Sequence, residues 1–569
     1  MKYHFSDDVK RSAVPAAIAA VFASLQLASY CISHFGSFLY SPHEPVCSTL
    51  IFSSFFLLYF IGVKAVYSLL DRFQAHENAE DGVNVRKRHG LLYAAVIILG
   101  WSPWLYAFYP GSLWSDMCWE YDQYYSSYSF DSAMQFPPFP TYIMGVLMDI
   151  GKIAFGSQNA GMFLYIILQT LVCVSACAGS LALLEELGVR RKIVILFLLF
   201  YAFFPDFGAS VQLGANNVLN YGLMLLACTQ VCRFSQRIRE GTDSWRDVRL
   251  CLCFAGFALL SCLWRREMLY IWLLTAALLA VCAFRRRLLR TGALLSLGIL
   301  AFCLCSAFSD WLIIEKLMDR DYSGAPDAKF LSLPLRQTAH FVRYHSDLVS
   351  DMEMRILDRC FEYGYYGIER NYNPSLADSL IFSFSMKDPW CSREFYRVYW
   401  SFLRKDPTLF LESLIAASYG YYSILPNSHA APGYESGAGM RLPLLTMMKE
   451  PDRPLGHVSG IGYRPETEEL REMLRGWLSD LEGSFNAFFG FGIWTFLLVV
   501  LCSYSVLRES RVAVAIPYIV PVMLCLACIA SPVNDCGRYY MGIFYLMPLL
   551  TGTAMCRKAA ETGSQSALV

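Results

Sequence analysis

The sequence predicts an all-α polytopic membrane protein with about twelve transmembrane helices, juxtamembrane helices in the first large outer loop, and a mixed, loop-rich extracytoplasmic domain. Three observations predict it. The 569 residues are 56% hydrophobic and 15% aromatic, with a mean hydropathy of +0.38, far above an ordinary soluble domain. Apolar runs near the length of a span recur along the chain, and the short loops between them alternate between basic and cation-free. The overall balance of 47 Lys and Arg against 47 Asp and Glu names no acidic partner, and no nucleic-acid partner is expected.

A hydrocarbon core of about 30 Å takes roughly 20 apolar residues in helical form. Runs of this kind lie at 13–34, 48–70, 90–109, 160–184, 193–206, 214–232, 250–264, 268–284 and 291–314. After a long polar stretch they resume at 485–506, 512–530 and 539–556. Only helices satisfy the backbone at these lengths, because an unpaired peptide group in hydrocarbon costs several kcal/mol. The first run follows Lys2, Lys10 and Arg11 and has no clear small-residue cleavage site, so it reads as an uncleaved signal anchor.

Orientation follows from Lys and Arg in short loops, which stay in the cytoplasm. Arg72 and Arg86–Arg88, Arg190–Lys192, Arg233–Arg246 and Arg285–Arg290 mark inner loops, whereas 35–47, 110–136, 207–213 and 531–537 hold no Lys or Arg. The alternation works only if Pro137 to Phe155 does not span. Its opening prolines suit a helix start, and Asp149 and Lys152 would be costly deep in lipid, so it is expected as a juxtamembrane helix. Both termini are then cytoplasmic, in a multi-pass protein of the cell membrane. The chain divides into a membrane domain 1–314 carrying the outer loop 110–159, an extracytoplasmic domain 315–484, and a C-terminal membrane domain 485–569 of three spans. In the extracytoplasmic domain Asp351 to Tyr363 and Glu466 to Leu481 are helix-like, and Thr408 to Ile424 suits a helix lying in the interface.

Most of the 20 Cys lie in apolar runs, where a thiol serves as a small hydrophobe. Cys525 and Cys528 form a lone CxxC without a second ligand pair, which makes neither a metal nor a redox site. Cys360 and Cys391 lie in the large polar segment, where they either form one bridge or remain thiols.

Four places carry side chains suited to chemistry. The loop YPGSLWSDMCWEYDQYYSSYSFDSAMQFPPFP holds Asp116, Glu120, Asp122 and Asp131 among many aromatics and no cation. Rings such as Trp114 and Trp119 stack on sugars, and a carboxylate can take a proton from an acceptor hydroxyl; the plain alternative is an interfacial aromatic belt with solvated acids. Arg265 and Arg266 sit between two spans where the alternation places an outer loop, and paired guanidinium forks hold phosphate. A snorkelling pair, or an Arg266–Glu267 ion pair, explains them equally well. Asp535 and Arg538 in SPVNDCGRYY could close over a headgroup or simply stabilise the loop. Arg336 and Gln337 in LPLRQTA open the polar segment, either as a polar cluster for substrate or as an ordinary helix start. No P-loop, GxGxxG, HExxH or GxSxG pattern is present.

Taken in order, these pieces resemble a family of uncharacterised polytopic proteins of Gram-positive bacteria related to the C-type glycosyltransferases, which use polyprenyl-phosphate sugars. The resemblance runs from about Trp101 to the final span. It rests on Pro110–Gly111 followed by Asp116, on Pro137–Pro138, on the Arg265–Arg266 turn, on LPLRQTA from Leu333, on YNPSLAD from Tyr372, and on SPVNDCGRYY with the span near Pro548. Two positions depart from it: Phe136–Pro137 stands where His-Pro is usual, and Asn216–Asn217 where a Lys-Asp pair is expected.

The resemblance implies a membrane glycosyltransferase that moves a sugar from a polyprenyl-phosphate donor to a glycan or other cell-envelope acceptor at the outer face. Asp116 would be the base, with Glu120 or Asp122 as understudies. Arg265, Arg266 and Arg538 would hold the donor phosphate, and Trp114, Trp119, Arg336, Gln337 and Asp535 would contact substrate. The resemblance names no certain cofactor; the acidic loop permits a divalent metal, but no ligand spacing demands one. A transporter or flippase of a lipid-linked glycan, and a non-catalytic envelope-assembly protein, are the alternatives.

Overall fold

The computed structural model describes residues 7–39, 45–73, 83–113, 115–125, 137–240, 246–317, 331–385, 388–424, 461–484, 490–509, 512–534 and 536–556. The chain is all-α. The N-terminal half contains α1 (Asp7–Phe35), α2 (Pro45–Arg72), α3 (Val83–Ala107), α4 (Ser115–Tyr125), α5 (Pro138–Phe155), α6 (Gln158–Glu186), α7 (Arg191–Phe203), α8 (Pro205–Val211), α9 (Asn216–Glu240), α10 (Arg246–Trp264), α11 (Glu267–Arg285) and α12 (Leu289–Trp311). Six short helices follow: α13 (Ser332–Tyr344), α14 (Asp351–Cys360), α15 (Gly364–Arg370), α16 (Asp378–Ser383), α17 (Pro389–Lys405) and α18 (Pro407–Ala416). The chain closes with α19 (Glu468–Ser484), α20 (Phe491–Glu509), α21 (Val512–Ile529) and α22 (Gly537–Met555).

A helix lies on the described part of each of the twelve apolar runs. Among the described residues six helices are long and apolar enough to cross a membrane: Ser12–Phe35, Pro45–Arg72, His89–Ala107, Gln158–Glu186, Glu267–Arg285 and Phe491–Arg508. The pair Arg191–Phe203 and Pro205–Val211, bent by 47°, makes a seventh if counted as one broken span. The break falls at Pro205, whose ring cannot continue the preceding helix. Val248–Trp264, Leu289–Ile299 and Val514–Ile529 are apolar but shorter.

Helix α5, which the charge alternation leaves out of the span count, is not among the six. Pro138 starts it, and Gly156 ends it in the left-handed conformation (φ 64°) that only glycine adopts without strain. Its buried Met144 and Met148 pack on Met162, Tyr165 and Ile166, all from the first turns of α6. The two helices meet backbone to backbone, since a Cβ on Gly161 would lie 2.6 Å from the Cα of Met148. The charges on α5 are met by α4: Asp149 accepts hydrogen bonds from Tyr124 (2.9 Å) and Tyr125 (2.8 Å), and Lys152 lies 4.2 Å over the Tyr125 ring.

Helices α13–α18 enclose their own apolar core, with Leu335, Phe341, Leu357, Phe395, Phe402 and Leu409 at its centre. Asp-Pro pairs start two of these helices. Asp388 accepts from the Trp390 amide, Asp406 from the amides of Thr408 and Leu409, and the prolines occupy first-turn positions whose N–H would be unpaired anyway. The described part of the polar segment is therefore helix-rich, with α14 and α19 on the two helix-like stretches and α18 on the proposed interface stretch. Residues 425–460, where most of the Gly- and Pro-rich sequence falls, lie outside the described residues. This unit is tied back to the segment after α1 by Glu412 on α18, which is buried, accepts from the Leu39 amide (2.9 Å) and stands 3.3 Å from buried His340 of α13.

Ser350 and Glu353 form a reciprocal capping box at the start of α14. The Glu353 carboxylate also receives Lys405 Nζ (2.7 Å) and Ser401 Oγ (2.6 Å). Burial raises the Glu353 pKa, but these donors outweigh it and bring the carboxyl down to about 2. A depressed folded-state pKa contributes stability that is full above the unfolded value of about 4.3 and is lost as pH falls from there through the folded value. Glu353→Gln is expected to cost about 2 kcal/mol at neutral pH and to flatten the acid limb of stability between about pH 4 and pH 2. Thermal unfolding of the purified protein across that range reads both effects.

Candidate functional site

The site is built where loop 110–125 meets the start of α9. Gly111 (φ 125°) is forced to be glycine twice over, because a Cβ there would also strike Ile166. The next two residues form a short parallel bridge, Ser112 with Leu213 and Leu113 with Gly214. Gln212 reinforces it: its Oε1 accepts from the Ser112 hydroxyl (2.8 Å) and amide (3.1 Å). On the other side Gln169 of α6 donates to the carbonyls of Val211 (2.8 Å) and Leu213 (2.9 Å). These bonds bring the first turns of α4 and α9 side by side.

Across that junction runs a chain of polar contacts. Glu120 of α4 is 1% exposed and accepts a hydrogen bond from the Asn216 side chain. Asn217, the next residue, accepts from the Arg265 guanidinium. Arg265 is ion-paired with Glu267 and lies 5.5 Å from the centroid of the Tyr539 ring, in the first turn of α22. One turn along α9, Asn220 accepts from Ser261 of α10 (2.6 Å). Burial disfavours the charge on Arg265, but Glu267 and neighbouring tyrosines more than offset it, so the guanidinium holds its proton more tightly than usual. Four stretches remote in sequence, at 120, 216–220, 261–267 and 539, thus converge.

A second polar assembly lies just ahead of Tyr539 in the chain. Arg336 is fully buried and donates to the carbonyls of Ser531 (2.6 Å) and Pro374 (3.4 Å). Burial lowers its pKa to about 10, which leaves it charged at neutral pH. Around it Ser531 to Asn534, in the loop before α22, are each docked. The Ala377 amide donates to Pro532 (2.9 Å) and the Asn534 amide to Ser375 (2.9 Å). Val533 accepts from the Tyr421 hydroxyl (2.9 Å), and Asn534 Oδ1 from the Gly420 amide (3.0 Å). Gln337 is also buried, donating to the Phe410 carbonyl (3.1 Å) and accepting from Tyr399 (2.8 Å). The motifs LPLRQTA, YNPSLAD and SPVN therefore meet, and Arg336 and Gln337 are engaged by protein atoms.

Of the residues singled out from the sequence, Glu120 and Arg265 are brought into one network. Asp122 is half-buried two residues further along α4, and Arg266 is next to Arg265 in the α10–α11 turn. Trp114 and Asp535 lie outside the described residues, as do the side chains of Asp116, Trp119 and Arg538, whose backbones belong to α4 and α22. Asp131 and Phe136 lie outside them too. The residues that sequence reasoning did not assign to the site are Asn216, Asn217, Glu267 and Tyr539. Their signal in the sequence is polarity at the mouth of an apolar helix: Asn216–Asn217 enters only as a departure, and Glu267 only as a partner for Arg266, whereas it pairs with Arg265.

Among the described residues no group of three or more His, Cys, Asp or Glu side chains could hold a metal ion. An apolar cavity of about 220 Å³ lies between α10, α11 and α12, lined by Cys251, Phe254, Trp272, Leu295 and Phe302 among others. Trp272 places its upper wall about 9 Å along α11 from the Arg266 end, by helical rise.

Residues 135–567 match the model of DUF6020, a family of unknown function. The chain belongs to DUF6020. The matched region takes in Asn216–Asn217, the Arg265–Glu267 turn, Arg336 and the loop before α22, whereas α4 with Asp116 and Glu120 precedes it. No curated protein and no solved structure matches the chain.

Proposed function

We propose that this DUF6020 protein is a membrane glycosyltransferase that transfers a sugar from a polyprenyl-phosphate donor to a cell-envelope acceptor at the outer face. The reading includes twelve spans, cytoplasmic termini, and an outside location for residues 315–484. The observation that carries it is the polar chain Glu120–Asn216, Asn217–Arg265–Glu267, which puts an acidic helix and an arginine turn at one point beside the ends of several apolar helices. A transferase with a lipid-borne donor needs an acid–base group and a phosphate grip together at a membrane surface.

In this reading Asp116, one turn before Glu120 on α4, takes the proton from the acceptor hydroxyl. The hydroxyl oxygen bonds to the anomeric carbon as the carbon–oxygen bond to phosphate breaks, and the electron pair leaves on the polyprenyl phosphate. Arg265 and Arg266, with Arg538 at the start of α22, stabilise that charge. Glu120, buried and held by Asn216, orients the site, with Asp122 beside it. The cavity between α10, α11 and α12 suits the hydrocarbon chain of the donor.

A non-catalytic role in envelope assembly is the second reading, and it is favoured by one fact: Arg265 and Glu120 already have protein partners, as structural groups do. Reconstitution of the full chain in liposomes with radiolabelled polyprenyl-phosphate sugars separates the two. Label moving to an aqueous or lipid-linked glycan acceptor, with release of polyprenyl phosphate, is the expected result. No release with any donor would favour the assembly role.

A further inference from the structure

Cys360 ends α14 and Cys391 lies in the first turn of α17, both in the apolar core of the α13–α18 unit. Each is buried, at 0% and 1% exposure. Each sulfur lies against the backbone of the other's helix, and Cys391 Sγ is also 3.7 Å from Asp388 Oδ2. Cys360 Sγ is 3.8 Å from the Cys391 carbonyl oxygen, and Cys391 Sγ is 4.0 Å from the carbonyl oxygen of Arg359. Both are thiols in the structure. A disulfide needs two cysteines brought together across a short gap, and the packing of α14 on α17 brings each of these sulfurs to within 4.0 Å of a backbone oxygen on the other's helix. Most other described cysteines sit in apolar helices of the membrane part, where packing alone accounts for them.

We propose that Cys360 and Cys391 form a disulfide in the mature protein, made by exchange with an external disulfide such as an oxidised small thiol or the CxxC disulfide of an oxidoreductase. The inference rests on the outside placement of residues 315–484 proposed above, because bridges persist in oxidising compartments. One thiolate attacks the external disulfide and releases one thiol. The second attacks the resulting mixed disulfide, the Cys360–Cys391 bond forms, and the second external thiol leaves. Two electrons and two protons pass from the chain to the oxidant. Burial pushes both thiols above their ordinary pKa, so exchange accompanies folding, before the core closes over the sulfurs.

The bond would close a loop of 31 residues (391 − 360). That loop carries Pro374–Ala377, the segment docked on Ser531–Asn534 ahead of α22. The cross-link thus braces the platform on which the proposed site's last loop rests.

The test uses the full chain, isolated from cells with thiols blocked at lysis and then denatured. The expected result is that Cys360 and Cys391 take up alkylating reagent only after reduction, and that digestion without reductant yields their two peptides joined and lighter by two hydrogens. Cys360→Ser should leave Cys391 freely alkylated, and Cys391→Ser the converse. A parallel Tyr366→Cys variant, at an exposed position on α15, reports the side of the membrane through an impermeant maleimide on intact cells. If residue 366 is labelled from outside and both native thiols alkylate without reduction, the proposal is overturned. If residue 366 is protected, the outside placement fails instead. The pair is then judged in purified protein refolded with oxidised glutathione, where failure to join would overturn the bridge itself.

Discussion

Asp116→Asn is expected to lower sugar transfer in the reconstituted system by about 10²–10⁴-fold, the range that a positioned general base contributes. The amide keeps the size and hydrogen-bonding of the carboxylate but cannot accept the acceptor's proton. Donor binding should survive, since the arginine turn that grips phosphate belongs to other helices, so the loss should fall on kcat with KM for donor little changed. Transfer that persists in Asp116→Asn would move the role to Asp122, the half-buried acid on the same helix. Glu120 is the weaker substitute, because at 1% exposure, with Asn216 on its carboxylate, it has no route to a bulky acceptor without opening the α4–α9 junction.

The second large effect is structural. Arg336→Ala should destabilise the protein by about 3–5 kcal/mol, because it removes a fully buried side chain and leaves the carbonyls of Ser531 and Pro374 unpaired. Its consequence should be local first. The loop before α22 loses its anchor, and amide exchange at Ser375, Ala377 and Asn534 should speed up while the α6–α9 core stays protected. Thermal unfolding together with hydrogen exchange on the purified variant separates this from a loss of substrate contact, which would lower transfer with melting unchanged.

Much of the architecture was legible because bilayer physics writes it into long apolar runs and basic loops. A helix lies on the described part of each of the twelve runs, and Pro138–Phe155, which the charge of Arg190–Lys192 leaves out of the span count, is not among the helices long and apolar enough to cross a membrane. The helix starts at Asp388-Pro389 and Asp406-Pro407 are equally local, since cap and first-turn residues are neighbours in sequence. The site was legible only in pieces. That Glu120 would meet Asn216 depends on Ser112 pairing with Leu213, a contact 101 residues apart in the chain (213 − 112), which no periodicity encodes. Arg336 illustrates the other limit. A polar cluster at a helix start looks the same in sequence whether it faces a substrate or a carbonyl, and only its burial distinguishes them. The Asn pair, read as the loss of two ionisable groups, is the bridge between acid and base. Where a Lys-Asp pair would meet Glu120 and Arg265 as two ion pairs, the two amides meet them as a neutral donor and a neutral acceptor.

In the proposed reaction a lipid phosphate is held where the arginine turn meets α4 and α9. Photolabelling of the reconstituted protein with a polyprenyl phosphate bearing a diazirine near its phosphate tests it most directly. Label should concentrate in the peptides containing residues 116–125 and 261–272, and should fall at least about tenfold in Arg265→Ala, as expected for loss of a charge-assisted phosphate contact. Labelling spread over the lipid-facing helices, unchanged by Arg265→Ala, would mean that the arginine turn does not hold the phosphate.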